Sequence, residues 1–242
     1  VRQYTDNLHT MRSWLQVWQN HHARLGPRTT TPADAWVIAE NVVADLQLDE
    51  GSRLLDWGCG PAHASGCLAE HGVEVLLYDR SQALAAVARD RFLDVPAVTV
   101  LSDHDLEALE AKSLDAVTVC SVLQYLSEDE IRELFRMSAR LLHPKGALVL
   151  IDVLPHDLKA SEDLRDLVDA DLAGAGLSEA TAPLSALGLS ALRRLRHGLR
   201  LRRFRDEELT ALLAEAGLTA SRCAYNFKPS RSRHTWLARP RP

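Results

Sequence analysis

The residues most able to do chemistry lie in Leu54-Leu55-Asp56-Trp57-Gly58-Cys59-Gly60-Pro61-Ala62, an apolar run that breaks into a glycine turn and resumes as a helical pattern. In an open α/β sheet such a turn lies at the carboxyl end of a strand, where glycines let a ligand come close to the backbone. Gly58 and Gly60 stand where that approach is needed, although two glycines also make an ordinary strand-to-helix turn. Asp79 ends the next apolar run, at the distance where a carboxylate accepts the hydroxyls of a ribose. Its alternative reading is a charge that favours the dipole of the following helix, which Ser81 would cap. Asp56 selects between ligands: a carboxylate just before the turn repels a pyrophosphate and favours a cationic amino-acid group. Ser102 and Asp103 follow the third run, where a side chain can accept from an adenine amino group, with His104 close enough to share the assignment. Arg80 can lie against the ring.

The elements that must hold these residues follow from periodicity. Short apolar runs alternating with helical stretches are the pattern of repeated βαβ units around a mostly parallel sheet. Strands are expected at 53–57, 73–78, 97–101, 114–120 and 147–153, and helices at 62–71, 81–92 and 127–142. Ser127 and Glu130 form a capping-box pair at the start of the last helix. Two helices precede the first strand: one over 6–24, with Trp14 and Trp18 as packing residues of a possible lid, and one opened by Thr31-Pro32. A helix from Asp206 and two antiparallel strands near 218–225 and 235–239, joined by Lys228-Pro229-Ser230, close the chain. The resulting division is an N-terminal lid (1–50), a ligand-binding core (51–153), a helical cap (154–205) and a C-terminal completion of the sheet (206–242).

These residues resemble the class I S-adenosylmethionine-dependent methyltransferases. Leu55-Asp56-Trp57-Gly58-Cys59-Gly60 is similar to the first motif of that family, Asp79 to its ribose-binding acid and Ser102-Asp103 to its adenine-side position. Leu114-Asp115-Ala116-Val117, with Ser121-Val122-Leu123-Gln124-Tyr125, resembles the fourth strand and the segment beneath the methyl group. Leu141-Leu142-His143-Pro144-Lys145-Gly146 resembles the turn into the fifth strand. The resemblance implies an α/β, Rossmann-like sheet of seven strands with the last antiparallel. It also implies S-adenosylmethionine as methyl donor, S-adenosylhomocysteine as product, and no metal. Cys59, Cys120 and Ser121 join Asp56, Gly58, Gly60, Asp79, Arg80, Ser102, Asp103 and His104 as expected cofactor contacts. Ala62 departs from the family, standing where many members have a third glycine, and is expected to take an ordinary negative φ.

The implied reaction is in-line methyl transfer to oxygen or nitrogen of a small biosynthetic molecule, with a base needed only when the acceptor must lose a proton. Tyr125 and His156 follow the fourth and fifth strands and are the candidate catalytic groups; a core aromatic and a helix start are their alternative readings. Seven arginines and no acid fall within 180–205. Arg196 and Arg200 are the candidate contacts to an anionic acceptor, against a solvated face, a membrane surface or a carrier protein. Nucleic acid is disfavoured because aromatic interleaving is sparse. With 242 residues, 46% hydrophobic and 25% charged, and no long apolar run, the expected setting is cytoplasmic. The four cysteines lack metal or disulfide spacing. A binding protein that senses S-adenosylmethionine without turnover is the alternative from another class.

Overall fold

The computed structural model describes residues 14–16, 18–19, 32–159, 162 and 201–241. Seven strands form one sheet: β1 (Arg53–Trp57), β2 (Glu74–Tyr78), β3 (Val98–Val100), β4 (Leu114–Cys120), β5 (Leu142–Val153), β6 (Leu218–Arg222) and β7 (His234–Pro240). Their order is β3-β2-β1-β4-β5-β7-β6. The first five are parallel, and β7 runs antiparallel to both β5 and β6. Among the described residues the sheet is flanked by α1 (Pro32–Leu46), α2 (His63–Glu70), α3 (Gln82–Arg91), α4 (Asp103–Ala108), α5 (Glu128–Leu141) and α6 (Asp206–Glu215). This is the expected α/β, seven-stranded sheet; the chain reverses direction across it between β1 and β4, where such sheets bind ligands.

Alternation along each strand divides the core. Leu55, Trp57, Val117 and Val119 face Ile131, Leu134 and Phe135 of α5 and Leu209 and Leu213 of α6. Leu54, Leu77, Ala116 and Val149 face Ile38 and Val42 of α1, Leu68 of α2 and Phe227. Asp56 shares the α1–α2 side with Leu54, since residues two apart point the same way. A carboxylate therefore occupies a position that the strand pattern assigns to an apolar side chain.

Three expectations are corrected. Ala62, expected at negative φ, has φ 54 and ψ 44 and is the left-handed N-cap of α2. Its N–H closes the turn onto the Cys59 carbonyl at 2.9 Å, which holds the alanine in this conformation. Residues 103–108, assigned no helix from the sequence, form α4, started by Ser102 and Asp105 as a capping box. The sixth strand ends at Arg222 rather than 225, because the chain leaves the ladder to bury Phe227, whose N–H donates to Thr235 Oγ1 at 2.9 Å. The expected cap lies almost entirely outside the described residues, Arg196 and Arg200 included. No helix among the described residues is long and apolar enough to cross a membrane.

Two glycine-turn substitutions check this backbone reading. Ala62→Gly is expected to raise unfolding stability by about 1 kcal/mol by relieving the left-handed alanine. Gly58→Ala is expected to lower it by about 2 kcal/mol or more, because φ is +76 and an added Cβ would lie 2.6 Å from Val122 Cγ2. Urea unfolding of both variants is the measurement.

Candidate cofactor site

A cavity of about 260 Å³ opens at the carboxyl ends of β1, β2 and β4, at the reversal of strand order. Its wall includes Asp56, Gly58, Cys59, Gly60, Asp79, Arg80, Cys120, Ser121 and Tyr125, all singled out from the sequence.

Asp56 is only 8% exposed. Ser65 Oγ of α2 donates to its Oδ2 at 2.6 Å and Thr118 Oγ1 of β4 donates to its Oδ1 at 3.2 Å. Burial outweighs these two hydrogen bonds and pushes its pKa up to about 6. The group is thus an ionised but poorly solvated carboxylate near neutral pH, which a cationic ligand would stabilise.

The turn beside it keeps its donors inward. Gly58 and Cys59 both donate from N–H to the Tyr78 carbonyl, at 2.7 and 3.1 Å. The Gly60 N–H donates to Asp79 Oδ2 at 2.9 Å, and the Ala62 N–H is used as above. Pro61 has no N–H. A pyrophosphate would meet a turn with no free amide and a carboxylate behind it. Asp79 also accepts from the Ser81 N–H through Oδ1 at 2.7 Å, so it locks β2 to the turn while each oxygen keeps a further lone pair. Burial raises its pKa, against these two backbone hydrogen bonds. The binding and helix-entry readings of Asp79 are therefore compatible.

Comparison with known proteins bears on what this cavity is for. A family model described as a methyltransferase domain matches residues 55–150, the span that builds the turn, Asp79 and the fourth and fifth strands. Over this span the chain is similar to methyltransferase domains. A ubiquinone biosynthesis O-methyltransferase of Xanthomonas oryzae is 35% identical over 128 residues, 52% of this chain and 52% of the relative. The chain thus matches about half the length of such curated relatives. Among solved structures, the mitomycin 7-O-methyltransferase MmcR gives a TM-score of 0.64 at 14% identity, covering 99% of this chain and 67% of that one. Magnesium protoporphyrin IX methyltransferase from Synechocystis, solved with bound S-adenosylmethionine, gives 0.54 at 18% identity, covering 86% and 81%. At these identities the structures speak for the fold.

Not every expected contact lies in this cavity. Ser102, Asp103, His104 and His156 are outside its wall. The Ser102 hydroxyl is taken by Asp105, donating to Oδ2 at 2.7 Å and accepting from its N–H at 3.2 Å. Asp103 acts through a neighbour, its Oδ1 accepting from the Tyr78 hydroxyl at 2.9 Å; Tyr78 lines the cavity. Arg80 reaches the wall but is ion-paired with Glu130, whose other oxygen belongs to the α5 capping box. His156 is the clearest correction. It lines a separate cavity with Phe204, Arg205 and His234, its Nε2 is 3.1 Å from Arg205 Nη2, and its N–H is tied to the Phe204 carbonyl.

Conversely, the wall gains residues that sequence reasoning treated as packing. Trp14, Leu15 and Trp18 line the cavity. Trp14 stands 4.7 Å and Trp18 5.6 Å from Tyr125, centroid to centroid. Beneath the wall, Ser121 donates to Asp152 Oδ2 at 2.6 Å, with Lys228 and Arg233 at 3.7 and 3.6 Å from the same oxygen. Ser121 and Asp152 both have positive φ, 58 and 66. The polar positions ending two apolar strands were the available sequence signal; Lys228, which donates to Ser121, comes from 107 positions away.

The Asp56 environment has a signed pH consequence. Its folded pKa, about 6, exceeds the ordinary carboxylate value of 3.8, so the folded state holds a proton that the unfolded chain gives up. Stability from this group is full below about pH 4 and is lost as pH rises through 6. Asp56→Asn is therefore expected to gain on the wild type by up to about 3 kcal/mol between pH 4 and 7.5 in urea unfolding. A difference independent of pH contradicts the assignment.

Proposed function

We propose that this protein transfers a methyl group from S-adenosylmethionine to oxygen or nitrogen of a small molecule. The observation that carries the reading is the pairing of a buried carboxylate, Asp56, with a glycine turn that offers no amide to an anion and is tied to Asp79. A cationic amino-acid group suits Asp56, and a ribose suits the remaining lone pairs of Asp79. Space above Gly60, where an added Cβ would meet nothing within 4 Å, accords with a ligand lying over the turn.

When bound, S-adenosylmethionine supplies a methyl group on a positively charged sulfur, and S-adenosylhomocysteine is what remains. The chain's own work is then to hold and align. Asp79 fixes the sugar, Asp56 draws the ammonium, and Arg80 flanks the base. Trp14, Leu15, Trp18 and Tyr125 exclude water from the opposite wall. Alignment of this kind is worth up to about 7 to 11 kcal/mol in intramolecular models, so no protein nucleophile is required. The acceptor's proton passes to solvent unless a base is near, and Tyr125 is the wall residue we assign to the acceptor. The apolar and aromatic wall favours an acceptor with a hydrophobic body. An anionic group on that acceptor would rest on Arg196 and Arg200, outside the described residues.

Titration calorimetry with S-adenosylhomocysteine tests the reading. The wild type is expected to bind, and Asp79→Ala to weaken binding about hundredfold or more, as two hydrogen bonds to a charged group are lost. Unchanged affinity in a folded Asp79→Ala variant counts against the sugar assignment. Binding without methyl transfer to any member of a broad panel of small phenols, amines and acids favours a sensor over an enzyme.

A further inference from the structure

We infer that the Arg80–Glu130 ion pair is a latch across the mouth of the cavity, which must open for the cofactor to enter and for its product to leave; this rests on the cofactor reading above. Both residues line the cavity, and their side chains are 44% and 35% exposed, whereas Asp56, Trp57, Tyr78 and Ser81 of the same wall are buried. The pair therefore lies at the rim.

Its direction follows from the sheet. Arg80 comes just after β2, and Glu130 belongs to the first turn of α5, which follows β4. β2 and β4 are the two neighbours of β1, so they stand roughly 9.5 Å apart with β1 between them. A link from one to the other passes over the end of β1, where the glycine turn begins.

Both anchors are fixed and the link between them can move. Asp79 accepts from the Gly60 and Ser81 N–H groups, and Ser81 caps α3 by accepting from the Leu84 N–H at 3.4 Å, so the main chain on either side of Arg80 is tied down. Glu130 divides its carboxylate. Its Oε2 accepts from the Ser127 N–H and hydroxyl, both at 2.8 Å, and its Oε1 receives Arg80 Nη1. The guanidinium thus swings on a long exposed side chain, a rotamer change that needs no movement of the backbone. A partly exposed ion pair is weak, so opening is frequent and reversible. Because opening precedes both entry and exit, the pair slows both rates by one factor and leaves the affinity alone.

Stopped-flow fluorescence with S-adenosylhomocysteine tests this, since Trp14, Trp18 and Trp57 line the cavity and report its occupancy. Glu130→Gln keeps the capping box, in which glutamine also serves, and removes the charge that faces Arg80. Its association and dissociation rate constants are both expected to rise about two- to fivefold, with the calorimetric dissociation constant within about 1.5-fold of wild type. In the wild type the same two rate constants are expected to climb together between about 0.05 and about 0.5 M salt, and in Glu130→Gln to stay level. S-adenosylhomocysteine carries one ammonium and one carboxylate, so salt acts on the latch rather than on long-range steering of the ligand. Unchanged rates in a Glu130→Gln variant that binds would reduce the pair to a surface contact and overturn the inference. Faster dissociation alone, with weaker affinity, would make Glu130 a support for the bound cofactor and overturn it equally. Wild-type rates indifferent to salt would do so without any variant. A wild type that binds no S-adenosylhomocysteine by calorimetry would remove the cofactor reading itself, and the latch with it.

Discussion

A carboxylate that cannot be fully solvated governs this molecule's binding site. Asp56 is enclosed by β1, β4 and α2, with hydroxyls from Ser65 and Thr118 as its protein donors. Two neutral hydrogen bonds do not replace the water a carboxylate loses on burial, so its pKa rises. The arrangement makes sense as a half-built ion pair. The sign of the missing partner is fixed by the residue type, and its location by the strand that carries it.

The surrounding backbone serves the same end. The turn after β1 bends back on itself through Tyr78, Asp79 and Cys59, so the amides of Gly58, Cys59, Gly60 and Ala62 are all taken within the protein. Three of the five left-handed non-glycine residues among those described lie at the carboxyl ends of strands: Ala62 after β1, Ser121 after β4 and Asp152 at the end of β5. Each is held by a specific bond, the first to Cys59 and the other two to one another. Conformations of this kind persist only where neighbours over-determine them, and one of the three, Ser121, lines the cavity.

The sheet was readable because buried parallel strands are nearly continuous apolar runs; β1 and β4 start and stop where composition changes. Asp56 and Asp79 were readable for the opposite reason, as charges placed where apolar residues belong. The rest depended on distance in space. Ala62 looked ordinary because nothing local forces its φ; the Cys59 carbonyl does. Ser102 offered a hydroxyl equally suited to a base or to a helix start, and Asp105 three residues on decided it. His156 follows a strand end as Tyr125 does, yet its neighbours Phe204 and Arg205 arrive from far along the chain and turn it toward another cavity. Trp14 and Trp18 fit a helix stripe so well that their place beside Tyr125 was not visible in their spacing.

The central claim is that a buried carboxylate awaits a cationic group, and protonation reads it directly. S-adenosylhomocysteine binding should be followed calorimetrically at pH 6 and pH 8 in buffers of different ionisation heat. An Asp56 near half-protonation at pH 6 must ionise against an ammonium, so release of about half a proton is predicted there and close to none at pH 8. Heats that are the same in every buffer at pH 6, or proton uptake, would contradict the account.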